Sequence, residues 1–305
     1  MSFSSQTKKE LTLRSACNDN TCCKKSEVYG LMIFSHLLTK NKAVYRTKHE
    51  YVARYISESI SSVCGVMVDF IKPKTAEHDI YLVSIPYEAD RVKVMTAFGY
   101  SGREINSRIN FDIMENDCCK SAFLRGAFIA CGNISEPRSS YHLEFVPQHK
   151  QLCGDLAELL SGMNMPAGTL VRKSIYVVYF KSAECIEKIM SLIGAKNAAE
   201  AIRTIIEERN RNNLTQRMVN CDNANIQKTV NASVRQTEAI RIIEKHKGLS
   251  SLPKELYEVA LLRLENPEMT LSDMCAQFSG TVTRSQINHR LKKLIDYSEQ
   301  LQKKE

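Results

Sequence analysis

One short stretch near the end of the chain combines the residue types that bind nucleic-acid phosphates and bases. Residues 279–293, SGTVTRSQINHRLKK, include Arg284, Arg290, Lys292 and Lys293 and contain no acidic residue. Arginine and glutamine side chains can form paired hydrogen bonds with base edges, whereas lysine chiefly neutralises phosphate. This stretch is therefore the best local candidate for a surface that faces an anionic polymer, and a solvated basic helix is the alternative interpretation.

The chain also has 11 cysteines, but their spacing contains no Cys-x-x-Cys pair, so the patterns of zinc ribbons and thioredoxins are absent. The pairs Cys22-Cys23 and Cys118-Cys119 are poor disulfide candidates because neighbouring side chains diverge. We expect reduced thiols, no metal site and no cofactor, and a metal or redox role is the alternative. His289 is expected to be a surface or packing residue rather than a metal ligand, since nothing supplies it with partner ligands.

Composition indicates a folded protein with two domains. The chain has 305 residues, of which 43% are hydrophobic and 25% charged, so it can bury sizeable cores and exceeds the usual size of one core. Its net charge of +8 suits an anionic partner without identifying it. No apolar run is long enough to span a membrane, and the start MSFSSQTKKE lacks the apolar centre of a secretory signal. We therefore expect a cytoplasmic protein with no membrane partner and no small-molecule substrate.

The helices and strands that must position these residues begin with an internal repeat. An offset of 96 positions lays Cys22-Cys23 over Cys118-Cys119 and Gly30 over Gly126. A glycine inside a helix costs about 1 kcal/mol relative to alanine, so two equivalent glycines predict close packing of two helices across a pseudo-twofold axis. Each half continues with a pattern of strand, helix, two strands and helix. The prediction is an α+β domain built twice, and two unrelated halves that share a cysteine pair by chance are the alternative.

The two glycine-containing helices, EVYGLMIFS and FLRGAFIACG, resemble the signature helices of LAGLIDADG homing endonucleases. In that family each signature ends in an acidic residue that binds a catalytic divalent metal at the base of a DNA-binding saddle. The resemblance places Ser35 and Cys131 at the two acid positions. Neither side chain can replace a carboxylate as a magnesium ligand, and Glu27, Asp112 and Glu136 lie at other positions. The resemblance therefore implies a degenerate domain that is not an enzyme.

The region after Ala201 contains helix formers without strand signals and predicts an all-helical domain. Residues 208–223 indicate a polar connector between the domains. Thr270 and Thr283 are expected to cap the last two helices, which are separated by a turn around Gly280. A short helix, a tight turn and a longer basic helix have the size of a helix-turn-helix, in which the second helix enters the major groove.

The predicted DNA-binding residues lie on this last helix and at its cap. Four apolar residues at helical spacing should face the protein, and these are Ile287, Leu291, Leu294 and Ile295. The residues expected to contact DNA are Thr283, Arg284, Ser285, Gln286, Asn288, His289, Arg290, Lys292 and Lys293. In the connector, Arg217 and Asn220 either hold the domains together or touch the DNA backbone, and the first role is preferred.

Three separated motifs carry a second resemblance. RMVNCDNAN from Arg217, LPKELYEVALLRLENPEMTL from Leu252 and TRSQINHRLKKL from Thr283 resemble the bacterial WhiA family. That family joins a degenerate LAGLIDADG domain to a helix-turn-helix similar to the one in sigma factors that reads promoter DNA. The resemblance covers essentially the whole chain. One departure is Gln286, where the family usually has glycine, so the DNA target of the family is not carried over.

The domains and function follow from this resemblance. The domain division is 1–207 for the degenerate LAGLIDADG-like domain, with repeats at about 20–103 and 116–207, then 208–223 for the linker and 224–305 for the helix-turn-helix domain. The resemblance implies a nucleoid-associated, non-catalytic, sequence-specific DNA-binding protein. It would regulate transcription in cell division and chromosome segregation, and sporulation in spore-forming relatives. Double-stranded DNA is the expected partner, with other transcription or cell-division proteins as further candidates. The alternatives are a metal-dependent homing-type endonuclease and a scaffold that binds RNA or protein.

Overall fold

The chain folds into two compact units, Met1–Arg209 and Asn210–Glu305. A computed structural model describes residues 1–13, 20–73, 80–101, 108–278 and 281–303. In these residues the first unit combines helices with two antiparallel sheets, and the second unit is helical. The α+β class and the duplicated domain expected from the sequence are confirmed.

The first unit contains two related halves, which differ in that the first half has the additional helix α1 and the second half has the additional strand β4. Its first half comprises α1 (Phe3–Leu13), α2 (Thr21–Phe34), β1 (Val44–Thr47), α3 (Glu50–Cys64), β2 (Asp69–Ile71), β3 (Tyr81–Ser84) and α4 (Glu88–Ala97). Its second half comprises α5 (Asp117–Cys131), β4 (Gly132–Ile134), β5 (Leu143–Phe145), α6 (Lys150–Gly162), β6 (Gly168–Arg172), β7 (Ile175–Phe180) and α7 (Ala183–Ile193). The sheets have the strand orders β1-β3-β2 and β4-β5-β7-β6, and every strand pair is antiparallel.

Helices α2 and α5 pack against each other at the centre of the first unit. A Cβ atom built on Gly30 would overlap the carbonyl oxygen of Phe123, and one on Gly126 would overlap that of Glu27. The predicted close approach of two backbones at equivalent glycines is therefore confirmed. The buried carboxylate of Glu27 accepts a hydrogen bond from Arg125 Nη1 of α5 at 3.1 Å and one from the Tyr55 hydroxyl at 2.5 Å. This network satisfies a charged group at an interface that excludes water.

Two elements of the first unit differ from the sequence-based expectation. The second signature helix ends at Cys131, and Gly132–Ile134 form β4, whereas the resemblance includes Gly132 in the signature helix. Gly132 has extended backbone angles and pairs with Phe145 of β5, so sheet pairing replaces the helix there. Helix α1 had not been predicted at all. Few of its residues are apolar, and it is held by contacts such as the hydrogen bond from the Tyr51 hydroxyl to Ser5 O, 2.9 Å long.

Helix α8 (Lys196–Lys247) contains 52 residues, and the division between the two units falls within it. No glycine or proline occurs in this range, so nothing in the local sequence interrupts backbone hydrogen bonding. The polar connector expected at 208–223 is therefore helical along its whole length. The helix ends before Gly248, whose positive φ of 75° suits glycine.

The second unit packs the end of α8 against α9 (Lys254–Glu265), α10 (Leu271–Gln277) and α11 (Arg284–Gln302). Its core residues are Ile240, Ile243, Val259, Ala260, Met274, Ile287, Leu291 and Leu294. The predicted apolar face of the last helix is therefore buried, with Ile295 partly buried beside it. The predicted turn around Gly280 lies outside the described residues. Within the described chain, none of the helices combines the length and apolar character needed to cross a membrane.

Candidate nucleic-acid interface and former metal positions

A reciprocal capping arrangement fixes the start of α11. The Thr283 hydroxyl accepts a hydrogen bond from Gln286 N at 3.3 Å, and Gln286 Oε1 accepts one from Thr283 N at 2.8 Å. Thr270 and Asp273 form the equivalent capping box at the start of α10. Both threonine caps expected from the sequence are confirmed. Gln286 Oε1 accepts one hydrogen bond in the cap, and the NH2 group of the same side chain can donate to another partner.

Beyond the cap, α11 separates its apolar and polar residues onto opposite sides. Eight of the predicted contact residues are exposed, namely Thr283, Arg284, Ser285, Gln286, Asn288, His289, Lys292 and Lys293. Positions four apart in a helix lie on the same side, so Arg284, Asn288 and Lys292 form one row, and Ser285, His289 and Lys293 form the adjacent row. These six residues are called the basic face below. No acidic residue occurs on α11 before Asp296, so nothing on that part of the helix offsets the positive charge.

Arg290 lies apart from the basic face. Its side chain is 17% exposed, and its guanidinium donates from Nη2 to Glu255 Oε2 of α9 at 2.9 Å. This ion pair connects α11 to α9 beside the hydrophobic core that the two helices share. A direct contact between Arg290 and DNA would require the ion pair to open.

The two predicted connector residues, Arg217 and Asn220, are exposed on α8. Asn220 Oδ1 accepts a hydrogen bond from Gln216 Nε2 one turn earlier, at 3.0 Å. This contact lies within a single helix, so it supports α8 itself.

Neither of the two positions that the LAGLIDADG resemblance predicts for an acid carries a carboxylate or an equivalent anion. Ser35 follows α2, is buried, and donates its hydroxyl hydrogen bond to Met32 O at 3.4 Å. Cys131 is the last residue of α5, and burial raises the pKa of its thiol to about 12. That thiol is protonated at neutral pH, so the site offers Mg²⁺ a buried hydroxyl and a neutral sulfur in place of two carboxylates.

Lys8 of α1 lies near Cys131. The positive charge of Lys8 lowers the pKa of the Cys131 thiol and so opposes the effect of burial, which raises it. Burial lowers the pKa of Lys8 to about 8, and its ammonium lies 5.9 Å from the ring centre of Phe128. A cation of the protein itself therefore lies close to this end of α5, which adds electrostatic repulsion against a bound metal cation.

The group of side chains best arranged for a metal lies elsewhere. In the described part of the chain, the only cluster of three or more histidine, cysteine or acidic side chains close enough to share one ion is Cys22, Cys23, Cys118 and Cys119. Their four sulfur atoms all lie within 4.8 Å of one another. This cluster contains no Cys-x-x-Cys pair, so the usual spacing of metal-binding cysteines does not indicate it. The repeat carried the signal, since equivalent positions near a pseudo-twofold axis lie close together.

Comparisons with known proteins cover both units. The model of the WhiA C-terminal HTH domain matches residues 215–298, and that of the WhiA LAGLIDADG-like domain matches residues 120–212. The probable cell division protein WhiA of Bacillus licheniformis is 34% identical over 310 residues, which are 99% of this chain and 97% of the relative. Its counterpart in Brevibacillus brevis is 34% identical over 100% of this chain and 99% of the relative. The crystal structure of full-length DUF199/WhiA from Thermotoga maritima matches 98% of this chain and 99% of its own, with 25% identity and a TM-score of 0.57.

Proposed function

Since the chain belongs to the WhiA family, we propose that it is a DNA-binding regulator of cell division that does not cut DNA. The observation that carries this proposal is the basic face of α11. It consists of three cations, a histidine and two small polar residues on the exposed side of a capped helix. A helix presented in this way fits the major groove of duplex DNA, where base edges display a distinct pattern of donors and acceptors.

The residues of the basic face have different roles in this proposal. Arg284 begins the helix and can form paired hydrogen bonds with guanine, while Lys292 and Lys293 neutralise phosphates two turns later. Asn288 and His289 lie between Arg284 and the two lysines, and they contact base edges directly or through a bridging water. The caps at Thr283 and Gln286 fix the helix start, and Ser285 lies next to them, where its hydroxyl can bind phosphate. Arg290 acts through Glu255 by holding α11 in place.

Equilibrium binding to labelled duplex DNA tests the basic face. Replacing Arg284 with alanine should cost about 1 to 3 kcal/mol and relax specificity at one base pair. The double variant Lys292→Ala, Lys293→Ala should weaken binding to all sequences alike and reduce the slope of log K against log salt by about 2. Lys303→Ala is the matched control, because this exposed lysine follows the far end of the same helix. Unchanged duplex affinity in the Arg284→Ala variant and the double lysine variant would refute DNA binding through this face and favour an RNA or protein partner.

The absence of catalysis is supported by the buried hydroxyl of Ser35 and the protonated thiol of Cys131. Supercoiled plasmid incubated with the full chain and Mg²⁺ should remain supercoiled. Nicking that a chelator abolishes, and that persists when the protein is purified by an independent route, would contradict the proposal. A variant with lysine-to-alanine changes on the basic face serves as the control for a contaminating nuclease, since a contaminant would not respond to them.

The regulated process rests on the family alone. We propose that the chain controls transcription of genes for cell division and chromosome segregation, and of sporulation genes where the host forms spores. Mapping of the DNA sites bound in cells should place the chain upstream of such genes. The same mapping with the double lysine variant is the control. Sites that persist in the variant would assign binding to another surface, with Arg217 and Asn220 as the next residues to substitute.

A further inference from the structure

We infer that Cys22, Cys23, Cys118 and Cys119 bind one Zn²⁺ ion that joins the two repeats of the first unit. Each repeat contributes one adjacent pair of cysteines, and none of the four forms a disulfide. This metal site is independent of DNA binding by α11. It also differs from the former catalytic positions, because Ser35 and Cys131 lie at the opposite ends of the two helices.

The spacing of the sulfur atoms fits a single tetrahedral ion. Four thiolates about 2.3 Å from Zn²⁺ lie about 3.8 Å from one another. The four sulfurs in this structure lie within 4.8 Å of one another, so even the longest of these distances exceeds that spacing by no more than about an ångström. A disulfide would need one pair to close to about 2 Å, and a cluster of several iron atoms would need the sulfurs farther apart.

The helices hold these thiols in place without the metal. Cys22 and Cys23 lie in the first turn of α2, and Cys118 and Cys119 lie in the first turn of α5. The two helices pack backbone to backbone at their glycines, so the distance between the cysteine pairs is fixed by the core.

Burial of the cluster fits a structural ion that can enter from solvent. Cys23 and Cys119 are buried, whereas Cys22 and Cys118 are exposed. The exposed pair offers an entry path, and the buried pair reduces competition from water. Four protein ligands leave no open coordination position for a substrate, so the ion would stabilise the fold and would not activate water.

Metal analysis of the full chain tests this inference. Protein prepared with zinc and then dialysed should retain one zinc per chain, and the double variant Cys22→Ser, Cys118→Ser should retain none. Because both substituted residues are exposed, the variant is expected to keep the core intact. The double variant Cys185→Ser, Cys221→Ser removes the same number of thiols outside the cluster and should retain zinc like the parent chain. Circular dichroism verifies that each variant is folded.

Two further measurements use the unaltered chain, so the test does not depend on a variant that folds. Replacement of zinc by Co²⁺ should give the visible absorption bands of tetrahedral cobalt and a near-ultraviolet sulfur-to-cobalt band. A strong zinc chelator should lower the Tm of the first unit. Absence of stoichiometric zinc, a cobalt spectrum without the sulfur band, iron in place of zinc, or a disulfide within the cluster in protein kept under reducing conditions would each overturn the inference.

Discussion

The helix pair α2 and α5 differs from helix α11 in the burial of its charged side chains. Around α2 and α5, Glu27 is buried in a hydrogen-bond network, and a nearby lysine, Lys8, is largely withdrawn from water. On α11, the charges of Arg284, Lys292 and Lys293 remain in solvent. Buried polar groups carry a large energetic penalty unless they are satisfied, whereas exposed cations cost little and remain free to bind. Substitutions in the first region should therefore change stability, and substitutions in the second should change affinity.

The largest expected effect is at the contact between the two signature helices. Gly126→Val would place side-chain atoms against the carbonyl oxygen of Glu27, and we expect a loss of about 3 kcal/mol or more in the free energy of unfolding. Urea denaturation monitored by circular dichroism measures this change in the free energy of unfolding. Gly154→Ala is the control, because a Cβ there would have no atom of the described residues within 4 Å and the substitution should stabilise α6 by up to about 1 kcal/mol. Similar unfolding midpoints for the two variants would show that α2 and α5 can move apart without a loss of stability.

The second prediction concerns the withdrawn lysine. The pKa of Lys8 is lowered to about 8 by burial, so the unfolded chain binds the extra proton more tightly between pH 8 and 10.5. Burial of the charged Lys8 therefore lowers the free energy of unfolding by its full amount at pH 7, and this destabilisation disappears as pH rises through that window. Lys8→Met should increase stability at pH 7 by about 1 to 3 kcal/mol, and the advantage should vanish above pH 10.5. Chemical denaturation of both proteins across this range tests it, and an advantage independent of pH would assign the effect to packing alone.

A smaller effect is expected at the start of α11. Thr283→Ala removes the hydroxyl that accepts from Gln286 N and should cost about 1 kcal/mol of stability in the second unit. Thr283→Ser retains the hydroxyl and is the matched control. DNA affinity should fall with the alanine variant, since a frayed first turn misplaces Arg284. An alanine variant that loses stability but binds DNA with full affinity would show that DNA recognition does not depend on the Thr283 cap.

The smallest effect should come from the partner of Arg290. Glu255→Gln weakens an ion pair whose carboxylate is 73% exposed, so stability should change by less than about 1 kcal/mol. If Arg290 positions α11 through this pair, DNA affinity should fall slightly. A rise in affinity together with a steeper salt dependence would instead show that the released guanidinium contacts phosphate, in agreement with the DNA contact that the sequence predicts for Arg290.

The sequence alone predicted the elements whose signals are local. The glycines at 30 and 126 predicted the packed helix pair, Thr270 and Thr283 predicted two caps, and Ile287 with Leu291 predicted a buried face. Helix α1 could not be predicted from the sequence. Hydrogen bonds such as that between Tyr51 and Ser5 hold this helix in place, and hydrophobic periodicity contains no information about such long-range contacts. The roles assigned to the basic face stay predictions until they are tested with DNA.

Local rules and the repeat determined this protein's fold class and its candidate binding helix, because caps, turns and apolar spacing act over a few residues. Tertiary structure alone decided which distant side chains meet. Cys22 and Cys118 are 96 positions apart, and their sulfurs are neighbours only because two glycines let the helix backbones touch. Arg290 likewise had the type and position of a DNA contact, and its bond to Glu255 arises from the packing of α11 on α9. Spacing along a chain sets which residues share a helix face, but only packing sets what that face touches.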